Sequence, residues 1–143
     1  MATVRYIEVR KPTCTLTGYA DETKARVVFG PVACAIGANP DGADKQRVGD
    51  CRTPEGRHLL VSVEDSHVWR CEGERAYGPW FLRLRGLEPR NADWTGIAIH
   101  GTHQPASLGT KASHGCVRLR NDDITALREL VVPGETVVVI VGG

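Results

Sequence analysis

Short segments in which apolar and charged residues alternate run through most of this chain of 143 residues. Successive side chains on a β-strand point to opposite faces, so this alternation indicates strands with one face buried. The segments with an alternating or continuous apolar pattern are VRYIEVR, both arms of CTLTGYADETKARVVFGPVACAIG, HLLVSVED, WFLRLRG, WTGIAIH and TVVVIV. DETK is placed to form the turn of a hairpin. The pattern predicts a mainly β fold, arranged as a two-sheet sandwich or a barrel.

One segment, NDDITALRELV, has the spacing of a helix instead. Its apolar residues fall on one stripe, formed by Ile124, Leu127 and either Leu130 or Val131. Asn121 or Asp122 can cap the first turn, because each offers a side-chain oxygen to amides that lack helical partners. Pro133 and the glycine after it are expected to end the helix. The sequence therefore predicts one clear helix near the end of the chain.

Charge and length limit the classes of function. Lys and Arg number 18 against 17 Asp and Glu, giving a formal net charge of +1, which does not favour nucleic-acid binding. No apolar run approaches the roughly 20 residues that span a bilayer. The opening stretch MATVRYIEVRKPT has charges among its first apolar residues, unlike a secretory signal peptide. We expect a single domain over residues 1–143, with no nucleic-acid partner and no membrane span.

Reactive side chains are concentrated in IHGTHQPASLGTKASHGCVRLRN, which holds three of the five histidines and one of the five cysteines. Cysteine attacks a carbonyl as the thiolate, and a nearby histidine can take its proton. His114 lies close to Cys116 in sequence, and His100 ends a predicted strand that gives it a rigid mount. The segment therefore predicts a cysteine nucleophile, Cys116, in a thiolate–imidazolium pair.

Two neighbouring features suit acyl transfer. Gly115 allows a turn in which the amides from His114 to Cys116 converge on one oxygen, as in an oxyanion hole. Arg118 shares the face of Cys116 if this stretch is extended, where its guanidinium can bind a substrate carboxylate.

The segment resembles the catalytic motif of the L,D-transpeptidase (YkuD-type) family, in which a histidine and a loop precede Ser/Thr-His-Gly-Cys. The matching residues are His100, Gly101, Thr102, Gly109, Ser113, His114, Gly115, Cys116, Arg118 and Asn121. RTPEGR and YGPWFLRL are weaker matches to an upstream turn and strand of that family.

The resemblance implies a reaction and roles for the matching residues. Cys116 would attack the carbonyl after the third residue of a peptidoglycan stem tetrapeptide, releasing D-Ala and forming a thioester. An amine of another stem would take the acyl group, giving a third-to-third cross-link. His100 would be the base, oriented by the carbonyl of Gly101, while Ser113 and His114 shape the site.

The resemblance also implies partners and a location. Thr102 joins Arg118 as an expected substrate-binding residue, and carbapenem-type lactams are expected to acylate Cys116. No cofactor or metal is implied. The expected location is the cell envelope, outside the cytoplasm.

Other interpretations of the same residues remain open. Water as acceptor would make the protein an L,D-carboxypeptidase. His100, His103, His114 and Cys116 are four possible zinc ligands, and a wall-binding module without catalysis is a further alternative. Buried thiols or disulfides are expected for the remaining cysteines, which are Cys14, Cys34, Cys51 and Cys71. Arg83 is expected on a solvated face.

Overall fold

The computed structural model describes residues 2–37, 44–47, 50–70, 73–110, 113 and 115–142. In these ranges the chain forms strands, one short 3-10 helix and one α-helix. The strands are β1 (Tyr6–Arg10), β2 (Thr15–Tyr19), β3 (Val27–Ala35), β4 (Gly56–Asp65), β5 (Trp80–Gly86), β6 (Ala98–His100), β7 (Val117–Leu119) and β8 (Val137–Val141). The 3-10 helix is Pro105–Ser107, and the α-helix, α1, is Asn121–Arg128.

The strands close into a barrel in the order β1-β2-β3-β7-β6-β5-β4-β8. The prediction of a mainly β fold is confirmed, and the barrel is the arrangement present. Neighbouring strands are antiparallel except at two places, β1 beside β8 and β6 beside β7. The second parallel pair matters for the site, because it brings the two ends of the predicted reactive segment side by side.

Every second residue of the strands fills the barrel. The fully buried apolar side chains include Ile7, Leu16, Leu60, Leu82, Ile99, Val117, Leu119, Val138 and Ile140. Burying a side chain of this size contributes roughly 1.5–3 kcal/mol. Packing of the inward-facing side chains therefore stabilises the strands around the site. The outward-facing side chains of these strands are not needed for that packing.

The sequence predicted the longer strands well and missed a short one. WFLRLRG coincides with β5, and the predicted DETK hairpin is the antiparallel pair of β2 and β3. The three residues of β7 are not among the strands that the sequence pattern predicts. Three residues are too few for a period to be detected.

The helix begins as predicted, but its capping differs. Arg120 is the N-cap residue and makes no side-chain capping hydrogen bond, so neither Asn121 nor Asp122 caps the helix. Ile124 and Leu127 are fully buried, as predicted.

Cys14 and Cys34 are buried in the core, and Cys51 is half-buried. Burial, and to a smaller extent the nearby Cys14, raises the pKa of Cys34 to about 12, so this thiol stays protonated. Cys71 lies outside the described residues. No helix in the described ranges has the length and apolar character needed to cross a bilayer.

Candidate active site

The site is built on the outer face of β5, β6 and β7. Ile99 pairs with Val117 across the parallel strands, and both side chains are fully buried. Because strand side chains alternate, the residues on either side of this pair face outward. His100 pairs with Arg118 on one side and with Phe81 of β5 on the other. These three side chains form one row across the outer face.

Cys116 belongs to a second row, next to the first. It directly precedes the paired Val117, which puts it beside Ala98 of β6, and Ala98 pairs with Arg83 of β5. Cys116 lies two residues before Arg118, the partner of His100, so Cys116 and His100 lie on the same face of adjacent strands.

Both rows open onto a cleft of about 740 Å³, lined by Cys116, His100 and Arg118 among others. Aromatic side chains form much of the remaining wall, namely Trp69, Tyr77, Phe81 and Trp94. A volume of this size is typical of a small-molecule or peptide site.

His100 is fixed by contacts on several sides. Its ring stacks on Phe81, with centroids 5.8 Å apart and planes 5° apart, and meets the edge of Tyr77 at 5.2 Å. Its Nδ1 lies 2.5 Å from the carbonyl oxygen of Gly101. A carbonyl only accepts, so Nδ1 carries the proton and Nε2 is left as the basic atom. The ring is therefore held in one tautomer and one orientation.

The surroundings keep this imidazole neutral. Burial, reinforced by the Arg118 charge and opposed by the Gly101 carbonyl, lowers the pKa of His100 to about 4. At neutral pH the ring is unprotonated, which is the state that a general base requires.

The Cys116 sulfur lies among backbone groups of the segment that leads into β6. Its thiol donates a hydrogen bond to the Gly96 carbonyl at 3.2 Å. Burial raises the pKa of the thiol, while a hydrogen bond from the Ala98 backbone and the charge of Arg118 act in the opposite direction. Both shifts favour a neutral thiol and a neutral imidazole in the resting site, so they do not support the predicted thiolate–imidazolium pair.

Ser113 and Gly115 shape the turn before Cys116. The Ser113 hydroxyl donates to the Cys116 carbonyl at 2.6 Å and accepts from the Gly115 amide at 3.1 Å. Gly115 has φ of 130°, a conformation that side chains rarely adopt. Because its amide is directed at Ser113, the structure does not support Gly115 as an oxyanion donor. His114 lies outside the described residues.

Arg118 is 9% exposed, and its Nη1 is buried without a hydrogen-bond partner among the described residues. Trp94 also lines the cleft, and its Nε1 is likewise buried without a hydrogen-bond partner among the described residues. A buried donor without a partner carries a free-energy penalty of about 1–3 kcal/mol, more if charged, which an incoming acceptor relieves. Both groups therefore favour an anionic or carbonyl-bearing ligand.

Thr102 does not line this cleft. Its hydroxyl accepts from the Gln104 amide at 2.9 Å, and its side chain faces a separate depression that also includes His103. The expected substrate-binding role of Thr102 is therefore not supported by the main cleft, which this residue does not line.

Comparison with known proteins agrees with this geometry. A family model for the YkuD L,D-transpeptidase catalytic domain matches residues 4–140. The chain belongs to the YkuD family. The family resemblance of the histidine–cysteine segment is thereby confirmed for nearly the whole chain.

Individual relatives of this YkuD chain are longer than it is. Over 93 residues it is 29% identical to YqjB of Bacillus subtilis, named as an L,D-transpeptidase, an alignment covering 63% of this chain and 53% of that protein. The helical cell shape determining protein Pgp2 from Campylobacter jejuni has a similar structure, with a TM-score of 0.73, 22% identity and coverage of 97% of this chain and 48% of that one.

L,D-transpeptidase 3 from Mycobacterium tuberculosis, solved with a faropenem-derived adduct, gives a TM-score of 0.64, 17% identity and coverage of 95% of this chain and 59% of that one. At these identities the structural likeness shows the shared fold. The chain spans about half the length of the relatives it matches.

The described part of this YkuD chain holds no group of three or more His, Cys, Asp or Glu side chains placed to bind a metal. His100 and Cys116 line the main cleft, whereas His103 is exposed and lines the separate depression. The zinc alternative therefore receives no support from these three residues.

Arg83 is a cleft residue that the sequence analysis missed. It is half-buried, lies 4.9 Å from the Phe81 ring centroid, and is held by Glu64 through a contact of 2.7 Å from Nε. A signal was present on β5, where Phe81 falls on the same face as two arginines. A large aromatic residue on an otherwise charged face indicates that something covers that face.

The neutral, buried His100 predicts that this YkuD domain loses stability in acid. An unfolded histidine has a pKa near 6.5, against about 4 in the fold. Between these values the unfolded chain binds more protons, so the free energy of unfolding falls as the pH is lowered, by about 3 kcal/mol for this group. Urea unfolding at pH 7 and pH 4.5 measures the fall, which we expect to be smaller in His100→Asn and unchanged in His103→Ala. An equal fall in His100→Asn would contradict the assignment.

Proposed function

We propose that this chain is a cysteine acyltransferase acting on peptidoglycan stem tetrapeptides, that is, an L,D-transpeptidase forming third-to-third cross-links. The observation that carries the proposal is the placement of Cys116 and His100 on one outer face of adjacent strands, both opening onto the same cleft. Family membership supports the same reaction. We further propose that residues 1–143 act as a single catalytic domain.

In the first half-reaction, the Cys116 thiol attacks the carbonyl after the third stem residue. The thiol proton passes to Nε2 of His100 as the carbon–sulfur bond forms, giving a tetrahedral oxyanion and an imidazolium. The imidazolium then protonates the departing nitrogen, so the bond to D-Ala breaks and a thioester remains. His100 is neutral before attack, as this sequence of proton transfers requires.

In the second half-reaction, an amine of another stem attacks the thioester. Neutral His100 takes the amine proton and returns one to the sulfur when the carbon–sulfur bond breaks. The products are an amide cross-link and the free thiol. Water in place of the amine would give a tripeptide by the same steps, which is the carboxypeptidase alternative.

The charge of the cleft suits a carboxylate-bearing donor. The described lining includes four cationic residues and one acidic residue, namely Lys45, Arg70, Arg83, Arg118 and Asp93. Lys45 is paired with Asp50 at 3.0 Å, and Arg83 is paired with Glu64. Arg118 retains an unpartnered buried nitrogen within the described residues, so we assign it the substrate carboxylate.

The proposed substrate places the working protein at the cell wall, outside the cytoplasm. Stem peptides are its proposed partners, and lactams that acylate a cysteine are its proposed inhibitors. The faropenem-derived adduct of the mycobacterial neighbour motivates the choice of lactam used below.

The proposal is tested with a purified disaccharide-tetrapeptide and product mass spectrometry. We expect a dimer that has lost one D-Ala, absent with the Cys116→Ala variant. Accumulation of the tripeptide alone would support the carboxypeptidase alternative, and unchanged substrate with folded wild-type protein would contradict the proposed function.

A further inference from the structure

Asn121 lies at the start of α1, where its side chain is expected to cap the helix. Its side chain instead contacts the loop after β6. Asn121 is the first residue of α1, and the N-cap position before it makes no side-chain hydrogen bond. A good capping side chain is worth about 1 kcal/mol to a helix. A helix start that forgoes this interaction next to an active site suggests that the side chain is used elsewhere.

The Asn121 side chain reaches back to the loop that follows β6. Its Oδ1 accepts a hydrogen bond from the Thr102 amide at 2.9 Å. The Thr102 amide and the Gly101 carbonyl belong to the same peptide group, and that carbonyl accepts from Nδ1 of His100 at 2.5 Å. One rigid peptide plane thus joins the Asn121 side chain to the imidazole.

The packing around Oδ1 of Asn121 leaves this oxygen little room to take another position. A Cβ added to Gly101 would lie 2.2 Å from this oxygen, and one added to Gly78 would lie 2.5 Å from it. The Gly78 position has φ of 65°, which favours glycine independently. Two glycines from separate loops therefore make room for a single side-chain oxygen and bring the peptide plane against it.

We infer that Asn121 is a positioning residue for the base: it orients the Gly101–Thr102 peptide, whose carbonyl in turn fixes the tautomer and angle of His100. The inference rests on the proposed function for its catalytic consequence, but not for the structural link itself. A backbone carbonyl is a weaker orienting group than the carboxylate of a Ser-His-Asp triad. A hydrogen bond to the amide of the same peptide polarises it and strengthens its acceptor end.

The experiment compares three variants of the full chain. Asn121→Ala removes the acceptor, Asn121→Asp keeps an oxygen at the same reach, and Asp122→Ala is a matched control at the next, exposed position of the helix start. We expect Asn121→Ala to lower kcat by about tenfold or more, since small errors in the angle of a base are costly. We expect KM to change little, Asn121→Asp to recover most of kcat, and Asp122→Ala to match wild type.

A second measurement tests the link without any turnover. Nitrogen-15 NMR of the imidazole reports the tautomer of His100, and its Nδ1 proton gives a separate resonance when hydrogen-bonded. We expect Asn121→Ala to lose this resonance or mix the tautomers, while Asn121→Asp and Asp122→Ala retain the wild-type spectrum. A purely structural role for Asn121 would lower the melting temperature without moving these signals in the folded protein.

The outcomes separate the two hypotheses. Wild-type kcat together with a wild-type imidazole spectrum in Asn121→Ala would overturn the inference. An inactive wild type with an altered spectrum in Asn121→Ala would contradict the proposed function and leave the positioning role supported. If Asn121→Ala fails to fold, Asn121→Ser is measured instead, because its shorter side chain withdraws the acceptor and stays polar.

Discussion

Replacing Cys116 by alanine is expected to abolish acyl transfer and leave the barrel folded. The Cys116 sulfur is the only thiol among those described that lines the cleft, since Cys14 and Cys34 are in the core. The substitution removes one atom from a half-buried position at the cleft wall, so the cost in stability is small, on the order of 1 kcal/mol. Activity falls to background because no other side chain forms the thioester. Product mass after incubation with the tetrapeptide measures this loss.

Acylation by faropenem gives an independent readout of the same residue. We expect intact-mass spectrometry to show one added lactam-derived group on wild type and none on Cys116→Ala. Cys51→Ala is the matched control, because Cys51 is also a half-buried cysteine but does not line the cleft, and we expect it to be labelled like wild type. Full labelling of Cys116→Ala would refute the assignment of the nucleophile.

Replacing His100 by alanine is expected to lower the transfer rate by about a hundredfold or more, the usual scale for losing a general base. The loss has a second cause here, because the ring also packs on Phe81 and completes the contact with Gly101. The matched control is His103→Ala, on the loop that follows β6 and outside the cleft, with activity near wild type. Near-full activity of His100→Ala would remove it from the mechanism.

The dependence of wild-type kcat/KM on pH examines the same base without mutation. Since protonation of His100 removes its basic lone pair, the rate is expected to fall on the acid side with a midpoint near pH 4. The assay must stay within the range in which the domain remains folded, as followed by circular dichroism. A midpoint near the ordinary histidine value of about 6.5 would contradict the burial of the working base.

Local patterns in the sequence predicted most of the strands and the helix. β5 was predicted over its whole length, because Leu82 and Leu84 alternate with Arg83 and Arg85 and the core needs that alternation. The choice between sandwich and barrel was not predictable in the same way. It depends on pairings between strands far apart in sequence, such as β1 with β8, and single-strand patterns do not encode their partners.

Site residues could be predicted where the residue type itself indicates the chemistry. They could not be predicted where the role of a side chain depends on its contacts in the folded structure. Cys116 and His100 were identified from the thiol, the imidazole and the strand end, and the structure brings them to one cleft. Asn121 was assigned to the helix because its competing partner, the Thr102 amide, is nineteen positions away along the chain. Thr102 was assigned to substrate by its place in the family motif, and the structure puts it outside the main cleft.

The position of β8 has a consequence for how the chain reaches its native state. β8 lies between β1 and β4, pairing with both, and Val4 also bridges to Val131. During synthesis β1 is therefore released from the ribosome long before β8, one of its two neighbours. Until β8 is available, β1 and β4 each expose one unpaired edge. Such distant pairing slows folding and leaves an aggregation-prone species in the interval. The rate at which the barrel closes is thus expected to depend on its topology, separately from its final stability.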